Sequence, residues 1–177
     1  MKTLKKRTRV RPTTSKAREA LFDILRGNIA GACFLDLYAG SGAVGIDALK
    51  EGASDVVFVE ASRGNVKKID ELIVTHGYEN KSRVLAKKVL SFIGSAETEK
   101  QKFDIIFLDP PYHTDEIMHA LSAISNAAIL EKGGTVIAEH FKKKQLPDIV
   151  NNLKKIKEYN YGDTVFTCFI NSDSQEQ

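Results

Sequence analysis

The chain is poor in cysteine and has no long apolar run, and both absences restrict what it can be. Its two cysteines, Cys33 and Cys168, lie far apart and lack the spacing of a metal site, so we expect buried thiols in a reducing cytoplasm. No apolar run approaches the ~18 residues of a membrane-spanning helix. No apolar segment follows the basic N-terminal stretch MKTLKKRTRV either. The sequence therefore predicts a cytoplasmic protein without a membrane segment, a secretory signal or a metal.

Acidic residues are missing from the first 18 positions, although the whole chain has a net charge of only +3. That segment carries eight basic side chains, which leaves 18 basic and 23 acidic residues, or −5, for the rest. A basic arm on a mildly acidic body favours a polyanionic partner, because Lys and Arg displace counterions from phosphates. A solvated tail would explain the charge alone equally well.

Short apolar runs alternate with helical patterns along the rest of the chain, without internal repeats. We predict an α/β fold with a Rossmann-like, doubly wound, mostly parallel sheet of seven strands. A basic arm and a helix precede the sheet, and an antiparallel hairpin ends it. The expected division is an arm at 1–14, one domain at 15–172 and a polar tail at 173–177.

The predicted elements follow from periodicity and turn residues. The first helix is TSKAREALFDILRGNI, and a second follows the glycines after ACFLDL. The predicted strands are ACFLDL, 55–60, 82–87, 103–109, 135–140, KIKEYN and TVFTCFI. The other predicted helices are 62–76, 89–98, 115–130 and 145–153.

The stretch DLYAGSGAVG places three glycines, Gly40, Gly42 and Gly45, between a predicted strand and a helix. Glycine permits the tight turn and the close approach of a ligand to the backbone. Glu60 ends the next strand, where a carboxylate can accept hydrogen bonds from both hydroxyls of a ribose. The pattern predicts a nucleoside cofactor, and by itself it does not separate NAD from S-adenosylmethionine.

Three further residues are candidates for the same cofactor site. Tyr38 lies two positions before Gly40, and Ser41 follows it directly. Asp36 either holds an amino group of the cofactor or accepts backbone N–H groups of the loop, and the sequence leaves both roles open.

The stretch FLDPPY ends a strand with an acid, two prolines and an aromatic residue. Pro110 and Pro111 remove two N–H donors, so the wall offers acceptors, namely the Asp109 carboxylate and the Pro110 carbonyl. These acceptors suit an exocyclic amine, whose two hydrogens they can hold while its lone pair faces a methyl donor. Tyr112 adds a face on which an unpaired or flipped base can stack. We expect these four residues to be catalytic, with Asp109 also touching the cofactor.

Together, DLYAGSGAVG, VVFVE and FLDPPY resemble the class I S-adenosylmethionine-dependent methyltransferases that act on exocyclic amines. The stretch RPTTSKAREALFDIL, with TVIAEH and YGDTVFTCFI, closely resembles the RsmD family of bacterial 16S ribosomal RNA guanine-N2 methyltransferases. The resemblance implies S-adenosylmethionine at the glycine loop and Glu60. It also implies a guanine amine at Asp109, Pro110 and Tyr112, within 16S RNA or the assembling small subunit.

Two departures from that family stand out. Family members usually have an acid after the third strand, where the cofactor's adenine sits, but this chain has Lys87 and Lys88 there. The family also usually has a longer segment before Arg-Pro-Thr-Thr than the ten residues found here. We expect backbone groups to recognise the adenine, and a shorter segment to weaken binding of RNA.

Four arginines are candidates for contacting RNA. Arg18 could instead pair with an acid one turn away, and His140 at a strand end is either part of the site edge or structural. We expect a monomer, since no obvious apolar patch appears in the sequence. The predicted RNA contacts are Arg7, Arg9, Arg11 and Arg18.

Other functions remain open from the sequence. Asp-Pro-Pro-Tyr suits an adenine-N6 amine of DNA or RNA as well as a guanine-N2 amine. A third hypothesis is a non-catalytic, RNA-binding assembly factor with the same fold. A dehydrogenase leaves the two prolines unexplained.

Overall fold

A computed structural model of the protein describes residues 14–112 and 114–172. Its helices are α1 Ser15–Leu25, α2 Ala43–Lys50, α3 Arg63–His76, α4 Val89–Thr98 and α5 Glu116–Asn126, with a 3₁₀ turn at Glu79–Lys81. Its strands are β1 Cys33–Leu37, β2 Asp55–Val59, β3 Ser82–Leu85, β4 Phe103–Leu108, β5 Leu130–Phe141, β6 Ile149–Val150, β7 Leu153–Tyr161 and β8 Thr164–Asn171.

One sheet runs through the molecule in the order β3-β2-β1-β4-β5-β8-β7-β6. The pairs among β3, β2, β1, β4 and β5 are parallel, and those among β5, β8, β7 and β6 are antiparallel. Strand order reverses between β1 and β4, which is where ligands bind in doubly wound sheets. The predicted fold class is confirmed, with eight strands among the described residues rather than seven.

Two hydrophobic clusters cover the two faces of this sheet. One contains residues of α4 and α5, and the other contains residues of α1, α2 and α3. Alternate residues of β1 and β4 enter opposite clusters, as the pleat requires. Because helices cover both faces, the residues of these central strands are buried on either side, which explains their continuous apolar runs in the sequence.

α1 begins where the sequence predicts it. The Thr14 hydroxyl accepts a hydrogen bond from the Ala17 N–H at 3.3 Å and caps the helix. Ala17, Leu21 and Leu25 are buried, which matches the predicted helical spacing. No helix among the described residues is long and apolar enough to cross a membrane.

The predicted helix at 145–153 is wrong, because a short hairpin occupies that segment. Val150 of β6 pairs with Leu153 of β7, and Asn151 between them has a φ of 50°, which Asn tolerates better than most residues. The Asn151 side chain donates to Ser122 at 3.1 Å, and the Asn152 N–H donates to the Ser125 hydroxyl at 2.7 Å. These bonds to α5 favour the turn over a helix.

The helix predicted at 115–130 is shorter in the structure, and the strand after it is longer. α5 ends at Asn126, because Ala127 is extended with a ψ of 134°. β5 then begins at Leu130, which pairs with Phe103 of β4, whereas the sequence predicts a start at 135. Pairing with β4 thus extends the strand beyond its apolar run.

Candidate active site

The glycine loop lies between β1 and α2, and its glycines serve different purposes. Gly40 and Gly42 have φ values of 55° and 78°, which glycine adopts without strain. A Cβ at Gly42 would lie 2.8 Å from Ile69 of α3, and one at Gly45 would lie 2.2 Å from the Phe58 ring. A Cβ at Gly40 would meet nothing closer than 3.8 Å. Gly42 and Gly45 therefore allow close packing, while Gly40 leaves room for a ligand to approach the loop.

Glu60 follows β2 and borders this open position. One carboxylate oxygen accepts the Gly40 N–H at 2.8 Å, and the other accepts the Ser62 N–H at 2.7 Å. Each oxygen keeps a further lone pair, so the carboxylate can still accept bonds from two hydroxyls. An oriented carboxylate beside a loop with room for a ligand fits the ribose of a nucleoside cofactor. Ser41 is exposed at the tip of this loop.

Asp36 is buried within β1, with 1% of its surface exposed. Its carboxylate accepts the Gly45 N–H of α2 at 3.0 Å, which is the backbone role that the sequence left open. Burial raises the pKa of Asp36 from 3.8 to about 7, the Gly45 bond lowers it and the charge of Glu60 raises it. Direct contact between Asp36 and a cofactor stays a prediction.

Tyr38 lies between β1 and the glycines in an unusual conformation for a bulky residue. Its φ is 60°, and its side chain is half-buried against the core. Burial raises the pKa of the Tyr38 hydroxyl, and the Glu116 carboxylate at the start of α5 raises it further. The ring therefore joins the glycine loop to the first turn of α5.

The Asp-Pro-Pro-Tyr segment follows β4 and lies directly beside the glycine loop. The Asp109 N–H donates to the Leu37 carbonyl at the end of β1 at 3.4 Å. Pro110 is buried and Pro111 is exposed. The predicted acceptor wall and the predicted cofactor loop thus leave adjacent strands at the same edge of the sheet.

Tyr112 is held from behind by β5 and β8. Its hydroxyl donates to the Glu139 carboxylate at 3.2 Å, and its ring meets Phe141 edge-on with centroids 6.4 Å apart. Burial, the charges of Glu139 and Asp109, and the bond to Glu139 all raise the pKa of Tyr112, whereas a hydrogen bond with Thr164 lowers it. The hydroxyl therefore stays protonated at neutral pH and remains a donor to Glu139.

Sequence reasoning missed Glu139. Glu139 is a charged residue within the otherwise largely apolar stretch TVIAEH, and only 1% of its surface is exposed. A carboxylate in a buried strand needs a hydrogen-bonding partner, and that requirement was the available signal. Leu108 of β4 pairs with Ala138 of β5. The next residue of each segment, Asp109 and Glu139, therefore lies at the same height along the two neighbouring strands.

His140, the next residue, does not join the site. Its Nε2 lies 2.7 Å from the Thr167 hydroxyl, and its Nδ1 lies 3.1 Å from the Phe141 carbonyl. The residue is buried, and burial lowers the pKa of its imidazole. Successive residues of a strand point to opposite faces, so His140 faces away from Glu139.

The predicted RNA contacts are only partly within the described residues. Arg18 of α1 bonds through Nε to Asp47 of α2 at 2.9 Å, so its acid lies on another helix rather than one turn away. Arg7, Arg9 and Arg11 lie outside the described part of the chain. Within residues 14–112 and 114–172, no cluster of His, Cys, Asp or Glu could hold a metal ion.

A model of the family described as conserved hypothetical protein 95 matches residues 1–170 of the chain. The chain belongs to this family. The putative rRNA methyltransferase YlbH of Bacillus subtilis is 31% identical to it over 157 residues, which cover 89% of this chain and 85% of that protein. Ribosomal RNA small subunit methyltransferase D of Escherichia coli is 27% identical over 160 residues, which cover 90% of this chain and 79% of that protein.

Solved structures agree with this assignment. A conserved hypothetical protein of Streptococcus pyogenes superposes with a TM-score of 0.80 at 30% identity, over 90% of this chain and 98% of that one. The expected membership of the RsmD family is therefore confirmed.

This RsmD-family chain has two lysines at the start of α4. Lys88 is the N-cap of α4 and makes no side-chain capping bond. Lys87 reaches the Ser95 hydroxyl at 3.4 Å, and both lysines are exposed. Neither can accept a hydrogen bond from an adenine amine, and recognition of the adenine by backbone groups stays a prediction.

Proposed function

We propose that the protein transfers the methyl group of S-adenosylmethionine to the exocyclic N2 amine of a guanine in small-subunit ribosomal RNA. One observation carries the proposal: the Asp109 N–H bonds to the end of β1, so the acceptor wall abuts the glycine loop. A methyl donor held at that loop and an amine held at that wall would be neighbours. Membership of the RsmD family supports both the reaction and the RNA substrate.

Glu60 and the open backbone at Gly40 would hold the ribose of the cofactor. When bound, S-adenosylmethionine would supply an electrophilic methyl group: the amine nitrogen would form the new N–C bond as the S–C bond breaks, and S-adenosylhomocysteine would be the product. A cofactor bound at this edge would lie beside the Asp-Pro-Pro-Tyr segment, which follows the neighbouring strand. The protein itself would thus contribute by fixing the methyl donor and the amine in position relative to each other.

Asp109 and the Pro110 carbonyl would accept the two hydrogens of the amine. The lone pair of an aromatic amine is delocalised into its ring, so holding both hydrogens favours a geometry in which the lone pair is available. A normal carboxylate is too weak a base to deprotonate the neutral amine. Asp109 can take the proton once methylation has made the nitrogen cationic.

Tyr112 would stack on the base and keep it in the plane of the acceptors. Its hydroxyl is committed to Glu139, so the ring cannot swing away without breaking that bond. A base inside a duplex cannot reach this wall, so the substrate guanine must be unpaired or flipped.

The first experiment measures methyl transfer from labelled S-adenosylmethionine to unmethylated small-subunit RNA and to small-subunit particles, followed by digestion to nucleosides. We expect the label in N2-methylguanosine. Label in N6-methyladenosine would overturn the substrate and keep the site. A protein that binds the cofactor but labels neither RNA nor particles would overturn the reaction.

Asp109→Asn should lower kcat by about 10²–10³-fold, because the amine loses a charged acceptor. Asp104→Asn is the matched control. Asp104 lies at the other end of β4, where it accepts the Cys33 N–H at 2.8 Å. Equal activity of Asp109→Asn and the unmodified protein would contradict the proposed role.

A further inference from the structure

Aromatic side chains continue from the candidate site across one face of the sheet. Tyr112 meets Phe141 at the end of β5, with ring centroids 6.4 Å apart. Phe141 pairs with Thr164 of β8, and Thr164 pairs with Tyr161 of β7. Neighbouring strands lie about 4.8 Å apart, so Tyr161 lies roughly 10 Å from Phe141 on the same side.

The outer part of this surface belongs to β7. Lys157, Tyr159 and Tyr161 alternate along the strand and therefore share a face. Their partners Cys168 and Phe166 belong to the core cluster of α1, α2 and α3. We call Tyr112, Phe141, Tyr161, Tyr159 and Lys157 the aromatic strip.

The rings of the strip are accessible and held in place. Tyr161 is 41% exposed, and its ring lies 6.0 Å from the fully buried Phe166. Tyr159 and Phe141 are half-buried. Rings anchored on one side and open on the other lose little conformational entropy when a ligand stacks on them.

The strip contains one charged residue, and it is basic. The Lys157 ammonium lies 4.7 Å from the centroid of the Tyr159 ring. The carboxylate of Glu139 lies on the same face, but it is buried and accepts the Tyr112 hydroxyl. Glu158 lies on the opposite face of β7, where it pairs with Lys155 at 3.1 Å.

We infer that the aromatic strip binds the single-stranded RNA that flanks the target base, with bases stacked on the tyrosines and a phosphate near Lys157. This inference rests on the proposed function, and it adds the surface along which the substrate RNA would bind. A target base in a single-stranded segment has unpaired neighbours, and stacking on aromatic rings tolerates any sequence. The Lys157 ammonium beside these rings provides a positive charge for an RNA phosphate.

The test measures binding of a fluorescent single-stranded RNA oligonucleotide by anisotropy, in the absence of the methyl donor. Tyr159→Leu combined with Tyr161→Leu should raise the Kd for this RNA about tenfold or more. Tyr161→Phe keeps the ring and should bind as the unmodified protein does. Tyr78→Leu is the matched control, since Tyr78 is a half-buried tyrosine that stacks on His76 between α3 and β3, far from β7 in the strand order.

Lys157 is tested through salt dependence. Lys157→Ala should reduce the slope of log Kd against log salt concentration by about one, because one phosphate contact is lost. Lys132→Ala removes another exposed lysine, near the amino end of β5, and should leave the slope unchanged.

Three outcomes are decisive. Unchanged RNA affinity in the double tyrosine variant would overturn the aromatic strip as an RNA surface, even if the unmodified protein methylates RNA. Self-association that the double variant abolishes, with RNA affinity intact, would also overturn it and assign the surface to a second copy. Absence of methyl transfer by the unmodified protein, with RNA affinity dependent on the tyrosines, would overturn the proposed function and keep the strip.

Discussion

At the scale of single residues, the position of the Tyr112 side chain depends on its hydrogen bond to Glu139. The two residues are 27 positions apart, and the Glu139 carboxylate lies behind the loop that would hold the substrate. We propose that Glu139 is a positioning residue, which acts on the base through Tyr112 rather than by touching it.

Removing Glu139 should therefore lower activity through Tyr112. Glu139→Ala and Tyr112→Phe should be non-additive in kcat/KM, with a coupling free energy of about 1 kcal/mol. Glu139→Gln keeps an acceptor for the hydroxyl and should recover part of the activity. Glu158→Ala, on the opposite face of β7, is the control. Strict additivity of the first two changes would disprove the positioning role.

Asp36 should make stability depend on pH. The folded chain retains a proton on Asp36 that the unfolded chain releases above about 3.8, so raising the pH towards about 7 favours unfolding. Asp36→Asn keeps an acceptor for the Gly45 N–H and abolishes this titration. The free energy of unfolding of the variant, relative to the unmodified protein, should rise by on the order of 3 kcal/mol across that range. Urea unfolding at several pH values measures it, and a difference independent of pH would contradict the prediction.

At the scale of elements, the packing of α2 on β2 depends on Gly45. A Cβ there would lie 2.2 Å from the Phe58 ring, so Gly45→Ala should destabilise the protein by about 1–3 kcal/mol through overpacking. Gly94 in α4 has nothing within 4 Å of its Cβ position, so Gly94→Ala should stabilise it by about 0.5–1 kcal/mol. Denaturant unfolding without cofactor compares the two variants. The same sign of change in both would refute this account of the glycine loop.

At the scale of the whole molecule, one sheet joins the eight strands found within residues 14–112 and 114–172 and supports a hydrophobic cluster on each face. We therefore propose that residues 15–172 unfold as one cooperative unit. Urea transitions followed by far-UV and near-UV circular dichroism should coincide. Gly45→Ala should shift both midpoints equally without changing the slope m. Two separated transitions would instead indicate that the C-terminal antiparallel strands unfold independently.

Much of the fold and of the site edge could be predicted because the relevant signals are local. The alternation of apolar runs and helical patterns indicates a doubly wound sheet, and the carboxyl ends of parallel strands meet at one edge. DLYAGSGAVG, Glu60 and FLDPPY each follow a strand, so their proximity follows from the topology alone. The Thr14 cap is likewise a local signal.

The sequence by itself thus determined the fold class, the family and the edge at which the candidate site lies. Only the tertiary structure decided which buried groups meet there, because strand register and helix packing join residues far apart in the chain. The bonds of Tyr112 to Glu139 and of Arg18 to Asp47 span 27 and 29 residues. The hairpin at Asn151 likewise depends on tertiary contacts, since its hydrogen bonds to α5 outweigh the local tendency of the segment to form a helix.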